Sequence, residues 1–270
     1  MSIFEAVILG IVQGITEFLP ISSSGHLVLA RSLLGTDVAF GLAFDAVVHL
    51  ATVLAVMLYF YRDLQTLAQT ALRKLGRLPV NRTDEILLYA LVAGTVPGAV
   101  VGFFLESSVE GIFNAPLVVA GFLFLAALFF MYAEYRQFSR PDNRPITLRR
   151  GILIGCFQVL ALLPGVSRSG ITIAGGMLLG LSRYTAARFS FLLAIPITFG
   201  VGAKKTLDLI AEGGVIDPVP LVVASVVSFV TALIVIHYFL QFIRHNTLWP
   251  FIWYTLVLAI FIVLAVTLAS

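Results

Sequence analysis

The sequence is poor in charged residues and cysteine, and each shortage excludes a class of protein. Charged residues make up 11% and apolar residues 60% of the 270 residues, and the mean hydropathy is +1.03, far too apolar for a soluble domain. One cysteine excludes a disulfide within the chain. The net charge is only +3, and no basic tract is interleaved with aromatic residues, which argues against a nucleic-acid partner. The composition therefore predicts an integral membrane protein.

The amino-terminal segment also lacks the basic stretch that opens a secretory signal, and it contains Glu5. We therefore expect no cleavage and a mature protein that begins near Met1.

Six stretches satisfy the requirement of about 20 mostly apolar residues for a membrane-spanning helix. They lie at residues 41–61, 86–105, 115–135, 186–203, 218–243 and 248–269. Two further regions, 3–34 and 150–181, are each interrupted by proline and a Ser/Gly loop, which favours a pair of short helices that enters and leaves the membrane on one side. The predicted fold is an all-α polytopic membrane protein with six transmembrane helices and two re-entrant helix-loop-helix segments.

The two interrupted regions are near-copies of each other, 145 positions apart. The recurring residues are Gly10, Gln13, Ser22, Ser24, Gly25, Leu33, Leu34, Gly35 and Phe44, matched by Gly155, Gln158, Ser167, Ser169, Gly170, Leu178, Leu179, Gly180 and Phe189. This predicts one membrane domain with a first repeat at about 1–135 and a second at about 146–270. Three spans between the re-entrant segments would make the repeats inverted, which places a binding site near the bilayer midplane.

The first copy sets polar side chains at a helix boundary. Gln13 and Glu17 are four apart and share a helix face, and Pro20 ends that helix. Ser22, Ser23, Ser24 and His26 then surround the start of a second helix, where hydroxyls, backbone N–H groups and the helix dipole favour an anion. The stretch is phosphate-receptive, although Ser-Ser-Ser-Gly also suits an ordinary loop with a helix cap.

The second copy differs from the first at the positions that carry charge. Glu17 corresponds to Leu162, His26 to Ile171, Ser23 to Arg168 and Leu27 to Thr172, so one copy holds an acid and a base and the other a cation. The Arg168 guanidinium can bind two phosphate oxygens, and Ser167, Ser169 and Thr172 can complete the cradle. Glu17 with Gln13 can hold Mg²⁺ or Ca²⁺ through oxygen, or Glu17 can act as a general base. The alternative is that Glu17 and Arg168 only neutralise each other.

These residues carry a family resemblance. Gln13-x-x-x-Glu17 followed by Phe-Leu-Pro-Ile-Ser-Ser-Ser-Gly-His, together with Pro-Gly-Val-Ser-Arg-Ser-Gly-Ile-Thr at 164–172, resembles the bacterial undecaprenyl-diphosphate phosphatase or bacitracin-resistance family over essentially the whole chain. The resemblance implies hydrolysis of undecaprenyl diphosphate to undecaprenyl phosphate and inorganic phosphate, which recycles the cell-wall lipid carrier. It also implies the bacterial inner membrane, with the site open to the outer face.

On this interpretation the catalytic residues are Glu17, His26, Arg168 and Ser23. The substrate-binding residues are Gln13, Ser22, Ser24, Ser167, Ser169 and Thr172, and the metal ligands are Glu17 and Gln13. The first acidic position of the family is often glutamate and is Gln13 here, which leaves one carboxylate fewer for Mg²⁺ or Ca²⁺.

Several alternatives stay open from the sequence. The group that attacks phosphorus is Ser23, His26 or a metal-bound water. A transporter or lipid-translocating protein is the second functional hypothesis, because inverted repeats with broken helices are a transporter architecture. Asp45 and His49, four apart within a span, either contact the site or form a buried packing pair. The expected partners are a polyprenyl diphosphate and membrane lipid, and a homodimer is left open.

The basic residues predict the orientation. If the interrupted regions turn back, one side of the membrane keeps only Arg31, Lys204 and Lys205. The other side carries Arg62, Arg73, Lys74, Arg77, Arg82, Arg136, Arg140, Arg144, Arg149, Arg150, Arg183, Arg188 and Arg244. The basic side is cytoplasmic, which places both termini outside. A topology of eight full spans also segregates charge well, so charge alone does not decide between the two.

Overall fold

The computed structural model describes residues 1–36, 41–112, 116–139, 142–211 and 218–269, and in these ranges the chain forms α-helices joined by turns, without a strand. The helices are α1 Ile3–Thr16, α2 Ser23–Leu34, α3 Gly41–Tyr59, α4 Tyr61–Leu75, α5 Arg82–Ile112, α6 Pro116–Ser139, α7 Leu148–Val159, α8 Arg168–Leu178, α9 Arg183–Ala211, α10 Pro218–His245 and α11 Trp249–Ala269. Residue 115 of one predicted span, Arg140 and Ser270 lie outside the described residues.

The spanning helices confirm the all-α membrane fold. Five helices, α5, α6, α9, α10 and α11, contain segments long and apolar enough to cross a membrane. A sixth apolar segment, Phe44–Tyr59 of α3, is followed after a bend of 78° by α4. The predicted stretch 41–61 thus divides at Phe60, where the apolar run gives way to Arg62 and Asp63, residues that belong at the water interface.

The two interrupted regions each form a pair of short helices. Helices α1 and α2 have 14 and 12 residues, and α7 and α8 have 12 and 11. At about 1.5 Å per residue none of the four reaches the roughly 30 Å of a bilayer core. One turn of 3-10 helix, Leu160–Leu162, extends α7 before the second loop. The Ser167 hydroxyl caps α8 by accepting from the Gly170 N–H at 3.2 Å.

Glycines allow two of these short helices to pack tightly against long ones. Helix α1 packs on α10 and α7 packs on α5. A Cβ atom at Gly10 would lie 2.7 Å from the Ala224 carbonyl oxygen, and one at Gly155 would collide with the Gly94 carbonyl. Gly10 and Gly155 are equivalent in the repeat, so the two halves use the same contact. Helices α3 and α9, and likewise α6 and α11, pack on each other between the halves.

Ion pairs join several helix ends. Arg183 at the start of α9 donates from Nε to both carboxylate oxygens of Glu134, at 2.9 and 3.1 Å, near the end of α6. Glu134 also accepts from the Leu248 N–H at 3.1 Å, just before α11. Arg188 pairs with Asp63 in the first turn of α4. The starts of α4, α9 and α11 and the end of α6 therefore lie at one end of the bundle.

Candidate active site

Glu17, the residue that follows α1, is buried at the centre of the candidate site. Its Oε2 accepts from Gln13 Nε2 at 3.1 Å and from the Ser23 hydroxyl at 2.8 Å. Its Oε1 pairs with Arg168 Nη2. The helical spacing of Gln13 and Glu17 and the turn at Pro20 bring the amide, the carboxylate and the serine together, and the second repeat supplies the guanidinium.

His49 of α3 supplies a second positive charge. Its Nε2 lies 3.3 Å from Glu17 Oε2, and its Nδ1 lies 2.6 Å from the backbone carbonyl oxygen of Asp45. A carboxylate and a carbonyl only accept hydrogen bonds, so the ring donates from both nitrogens and is an imidazolium in this arrangement. Glu17 is thus held between two cations.

Arg168, the first residue of α8, has one terminal guanidinium nitrogen that is paired with a carboxylate and one that has no hydrogen-bond partner among the described residues. Nη2 binds Glu17, whereas Nη1 is buried and has no hydrogen-bond partner among the described residues. An unpaired buried donor on a charged group is costly, and an incoming oxyanion would satisfy it. This free donor is what an anion-binding site requires.

The two loops touch each other directly. Ser169 donates to the Leu19 carbonyl oxygen at 3.0 Å, and the Ser167 hydroxyl lies 3.5 Å from the same oxygen. Ser22, at the turn that precedes α2, adopts a φ of 70°, a left-handed value that costs a non-glycine residue about 1–3 kcal/mol. The second repeat therefore fixes the backbone of the first beside a strained turn at the site.

A pocket of about 340 Å³ opens between these elements. Its lining comes from both loops, from α3 and from α9. The lining residues are Glu17, Ser22, Ser23, Ser24, Asp45, Ala46, His49, Ala161, Val166, Ser167, Arg168, Ile197, Thr198, Val201, Gly202 and Lys205.

Six of the predicted site residues line the pocket: Glu17, Ser22, Ser23, Ser24, Ser167 and Arg168. The other four lie around it. Gln13 is buried behind Glu17, and Ser169 holds the first loop as described. Thr172 is buried within α8, where its hydroxyl donates to the Arg168 carbonyl oxygen at 2.7 Å and lies 2.6 Å from the Ser190 hydroxyl. Thr172 therefore supports the turn of helix that carries Arg168.

His26 faces α11 and is not part of the lining. Its Nδ1 donates to the Ser22 carbonyl oxygen at 2.7 Å, and its Nε2 lies 2.6 Å from the Tyr254 hydroxyl. The His26 and Tyr254 rings are stacked, with centroids 5.5 Å apart. The imidazole thus holds the Ser22 turn and the start of α2 against α11.

Three ionisable lining residues fall outside the predicted site set: Asp45, His49 and Lys205. Asp45 and His49 could be found from sequence as ionisable groups within an apolar span, where such residues favour function. Asp45 pairs with Arg31 at the end of α2. Lys205 gives no comparable signal, because a lysine near the end of a spanning helix is common at an interface.

Among the described residues, the site offers oxygen ligands for a divalent cation but no complete protein cage. No three acidic, histidine or cysteine side chains converge on a metal position in the part of the chain that the structure describes. Gln13 Oε1 is buried without a hydrogen-bond partner in that same part. One carboxylate and one amide oxygen fit Mg²⁺, which binds through one or two protein oxygens together with substrate phosphates.

Comparison with known proteins gives one consistent result. Residues 6–261 match the family described as bacitracin resistance protein BacA. A protein of Alteromonas mediterranea is 42% identical over 96% of this chain and 96% of its own length, and one of Trichlorobacter lovleyi is 43% identical over 94% and 93%. A protein of Geotalea daltonii is 41% identical over 94% of both chains. All three carry the name undecaprenyl-diphosphatase.

Proposed function

This chain belongs to the bacitracin resistance protein BacA family, and we infer that it is an undecaprenyl-diphosphatase whose chemistry takes place in the pocket shared by Glu17 and Arg168. It hydrolyses undecaprenyl diphosphate to undecaprenyl phosphate and inorganic phosphate, a reaction that returns the cell-wall lipid carrier for reuse. The buried, unpartnered Nη1 of Arg168 is the observation that carries the assignment of the site.

The charges of the pocket suit a diphosphate. Glu17 contributes one negative charge and Arg168 and His49 one positive charge each, while Asp45 and Arg31 neutralise each other. These groups sum to one positive charge, and Lys205, which also lines the pocket, adds a second. The starts of α2 and α8 lie at the same site, and helix N-termini attract anions. Arg168 Nη1 binds the terminal phosphate while Nη2 stays on Glu17.

Ser23 is the attacking group that the geometry favours over His26. Its hydroxyl is 2.8 Å from Glu17 Oε2, within reach of a general base that Gln13 and His49 orient in turn. Ser23 Oγ attacks the terminal phosphorus, the bond to the bridging oxygen breaks, and the serine proton passes through Glu17 to the departing undecaprenyl phosphate. Water then attacks the phosphoserine and gives a proton to Glu17, which returns it to Ser23 as inorganic phosphate leaves.

A divalent cation, Mg²⁺ or Ca²⁺, is part of the proposal. Glu17 and Gln13 would hold it together with phosphate oxygens, because Glu17 lines the pocket and the Oε1 of Gln13 behind it has no hydrogen-bond partner among the described residues. When bound, the ion would neutralise phosphate charge.

The proposed architecture is an inverted repeat with two re-entrant segments. In this architecture α1 corresponds to α7, α3 to α9, α5 to α10 and α6 to α11. The contact of α1 with α10 then corresponds to the contact of α7 with α5. The pairs α3–α9 and α6–α11 correspond to themselves. The pairs of Arg183 with Glu134 and of Arg188 with Asp63 also support it, because eight full spans would put Arg183 and Arg188 opposite their partners.

The pocket is proposed to open to the outer face of the bacterial inner membrane. Arg183 and Arg188 mark the start of α9 as cytoplasmic by the positive-inside rule, and the pocket lies along its later residues, from Ile197 to Lys205. A diphosphate head would then enter from outside while the tail stays in lipid.

Purified protein in detergent tests the proposed function. We expect it to release inorganic phosphate from undecaprenyl diphosphate, because an enzyme needs no second compartment. A carrier requires two compartments and would release none, so a well-folded preparation without phosphate release would favour the lipid-translocating alternative.

A further inference from the structure

The pocket has two walls of different chemistry. The first loop and α3 contribute a polar wall that contains Glu17, the three serines of the loop, Asp45 and His49. Ala161, Val166, Ile197 and Val201 contribute an apolar wall, and Thr198 and Lys205 of α9 add polar groups beside it. A substrate with a charged head and a hydrocarbon tail can satisfy both walls only in one orientation.

The apolar lining runs along α9 from Ile197 to Val201 and ends one turn later at Lys205. Ile197 and Val201 are four residues apart and share one face of that helix. Val201 lines the pocket, and 50% of its surface is exposed. Phe199 beside it is 45% exposed, and a Cβ atom at Gly200 would meet nothing within 4 Å.

The exposed residues around Val201 lie in Arg183–Leu207, a segment apolar enough to cross the membrane. A surface of this composition at that position faces hydrocarbon. Val201 is therefore the rim over which a hydrocarbon chain would pass from the pocket into the bilayer.

We propose that the polyprenyl tail leaves the pocket along Ile197 and over Val201 into the membrane, which makes Val201 a residue that determines tail specificity. The inference rests on the proposed function. With the head held by Arg168 and Ser23, a tail directed along the polar wall would remove Asp45 and His49 from their polar surroundings, whereas the path over Val201 places hydrocarbon against hydrocarbon.

Widening the side chain at the rim tests the path. Val201→Trp is expected to lower kcat/KM for the eleven-isoprene undecaprenyl diphosphate by about tenfold or more, through KM, and to leave a one-isoprene diphosphate much less affected. Val226→Trp on α10 is the matched control, since Val226 is 58% exposed and does not line the pocket. An unchanged kcat/KM for the long substrate, or an equal fall for both substrates, would overturn the proposal.

A second measurement does not depend on turnover. A polyprenyl diphosphate with a photoreactive group on its first isoprene unit should label the α9 peptide around Val201 in the wild type, and less of it in Val201→Trp. Labelling of other helices alone would refute the tail path. If the wild type released no phosphate from either diphosphate, the proposed function would fail, whereas phosphate release with labelling elsewhere would remove only the tail path.

Discussion

At the scale of single residues, Glu17 connects the whole pocket. Its two oxygens receive an amide, a hydroxyl, an imidazole and a guanidinium from four different elements. A buried carboxylate that lost one of its cations would remain under-neutralised, so the pair of Glu17 and Arg168 also holds the two repeats together. The same contact therefore serves both stability and chemistry.

Arg168→Lys tests the role of the guanidinium. A lysine keeps one positive charge but cannot contact Glu17 and a phosphate through two fixed nitrogens at once. We expect phosphate release by Arg168→Lys to fall between the wild type and Arg168→Ala, which should be slower by about 100-fold or more. Arg149→Lys, at an exposed position in α7, is the control. Full activity in Arg168→Lys would mean that charge alone suffices.

Metal removal separates two roles of Glu17. Excess chelator should abolish phosphate release, and added Mg²⁺ or Ca²⁺ should restore it. The reason is that the proposed ion is bound by Glu17, Gln13 and the phosphate oxygens of the substrate. Gln13→Glu adds a carboxylate and should lower the cation concentration needed for half-maximal activity. Full activity in excess chelator would exclude Glu17 as a metal ligand and leave it only the role of a general acid or base.

Sequence reasoning reached the loop residues more easily than His49. Glu17, Ser23 and Arg168 stand in two dense polar motifs, and the repeat brings the motifs into correspondence. His49 stands alone in an apolar span, and its sequence is compatible with a packing pair. Only the approach of α3 to the first loop shows that Nε2 reaches Glu17. A contact between elements that are far apart in the sequence leaves no pattern in the residues around either of them.

At the scale of helices, proline and spacing predicted most of the elements. Pro20 and the Ser/Gly loops correctly indicated two pairs of short helices in place of long ones. The 78° bend between α3 and α4 was missed, because an apolar count over 41–61 does not register where Arg62 and Asp63 begin an amphipathic helix. The position and angle of such a bend depend on how the two helices pack against the rest of the molecule.

The glycine contact of α7 with α5 gives a stability prediction. Gly155→Ala should lower the thermal unfolding temperature in detergent, because its methyl group collides with the Gly94 carbonyl, an overpacking cost of about 1–3 kcal/mol. Gly121→Ala in α6 is the control, since a Cβ there meets nothing within 4 Å, and it should be neutral or stabilising by up to about 1 kcal/mol. Equal unfolding temperatures for the two variants would contradict the close packing.

At the scale of the whole molecule, the proposed topology has a direct test. With two re-entrant segments and six spans, the carboxyl terminus lies outside the cytoplasm, whereas eight spans would put it inside. A reporter active only outside the cytoplasm, fused after Ser270, should be active, and a cytoplasmic reporter fused at Arg77 should also be active. An inactive outer reporter on a well-folded protein would refute the re-entrant segments and the inverted symmetry.

The central claim is that the pocket around Glu17 hydrolyses the lipid diphosphate. The most direct measurement compares inorganic phosphate release from undecaprenyl diphosphate by purified wild type, Glu17→Gln and Glu5→Gln. Glu5 is the matched control, because it is a glutamate in α1, the helix that Glu17 directly follows, and glutamine preserves its part in the capping box with Ser2. We predict equal release by the wild type and Glu5→Gln, and release slower by about 100-fold or more in a folded Glu17→Gln. Near-wild-type release by Glu17→Gln would contradict the account.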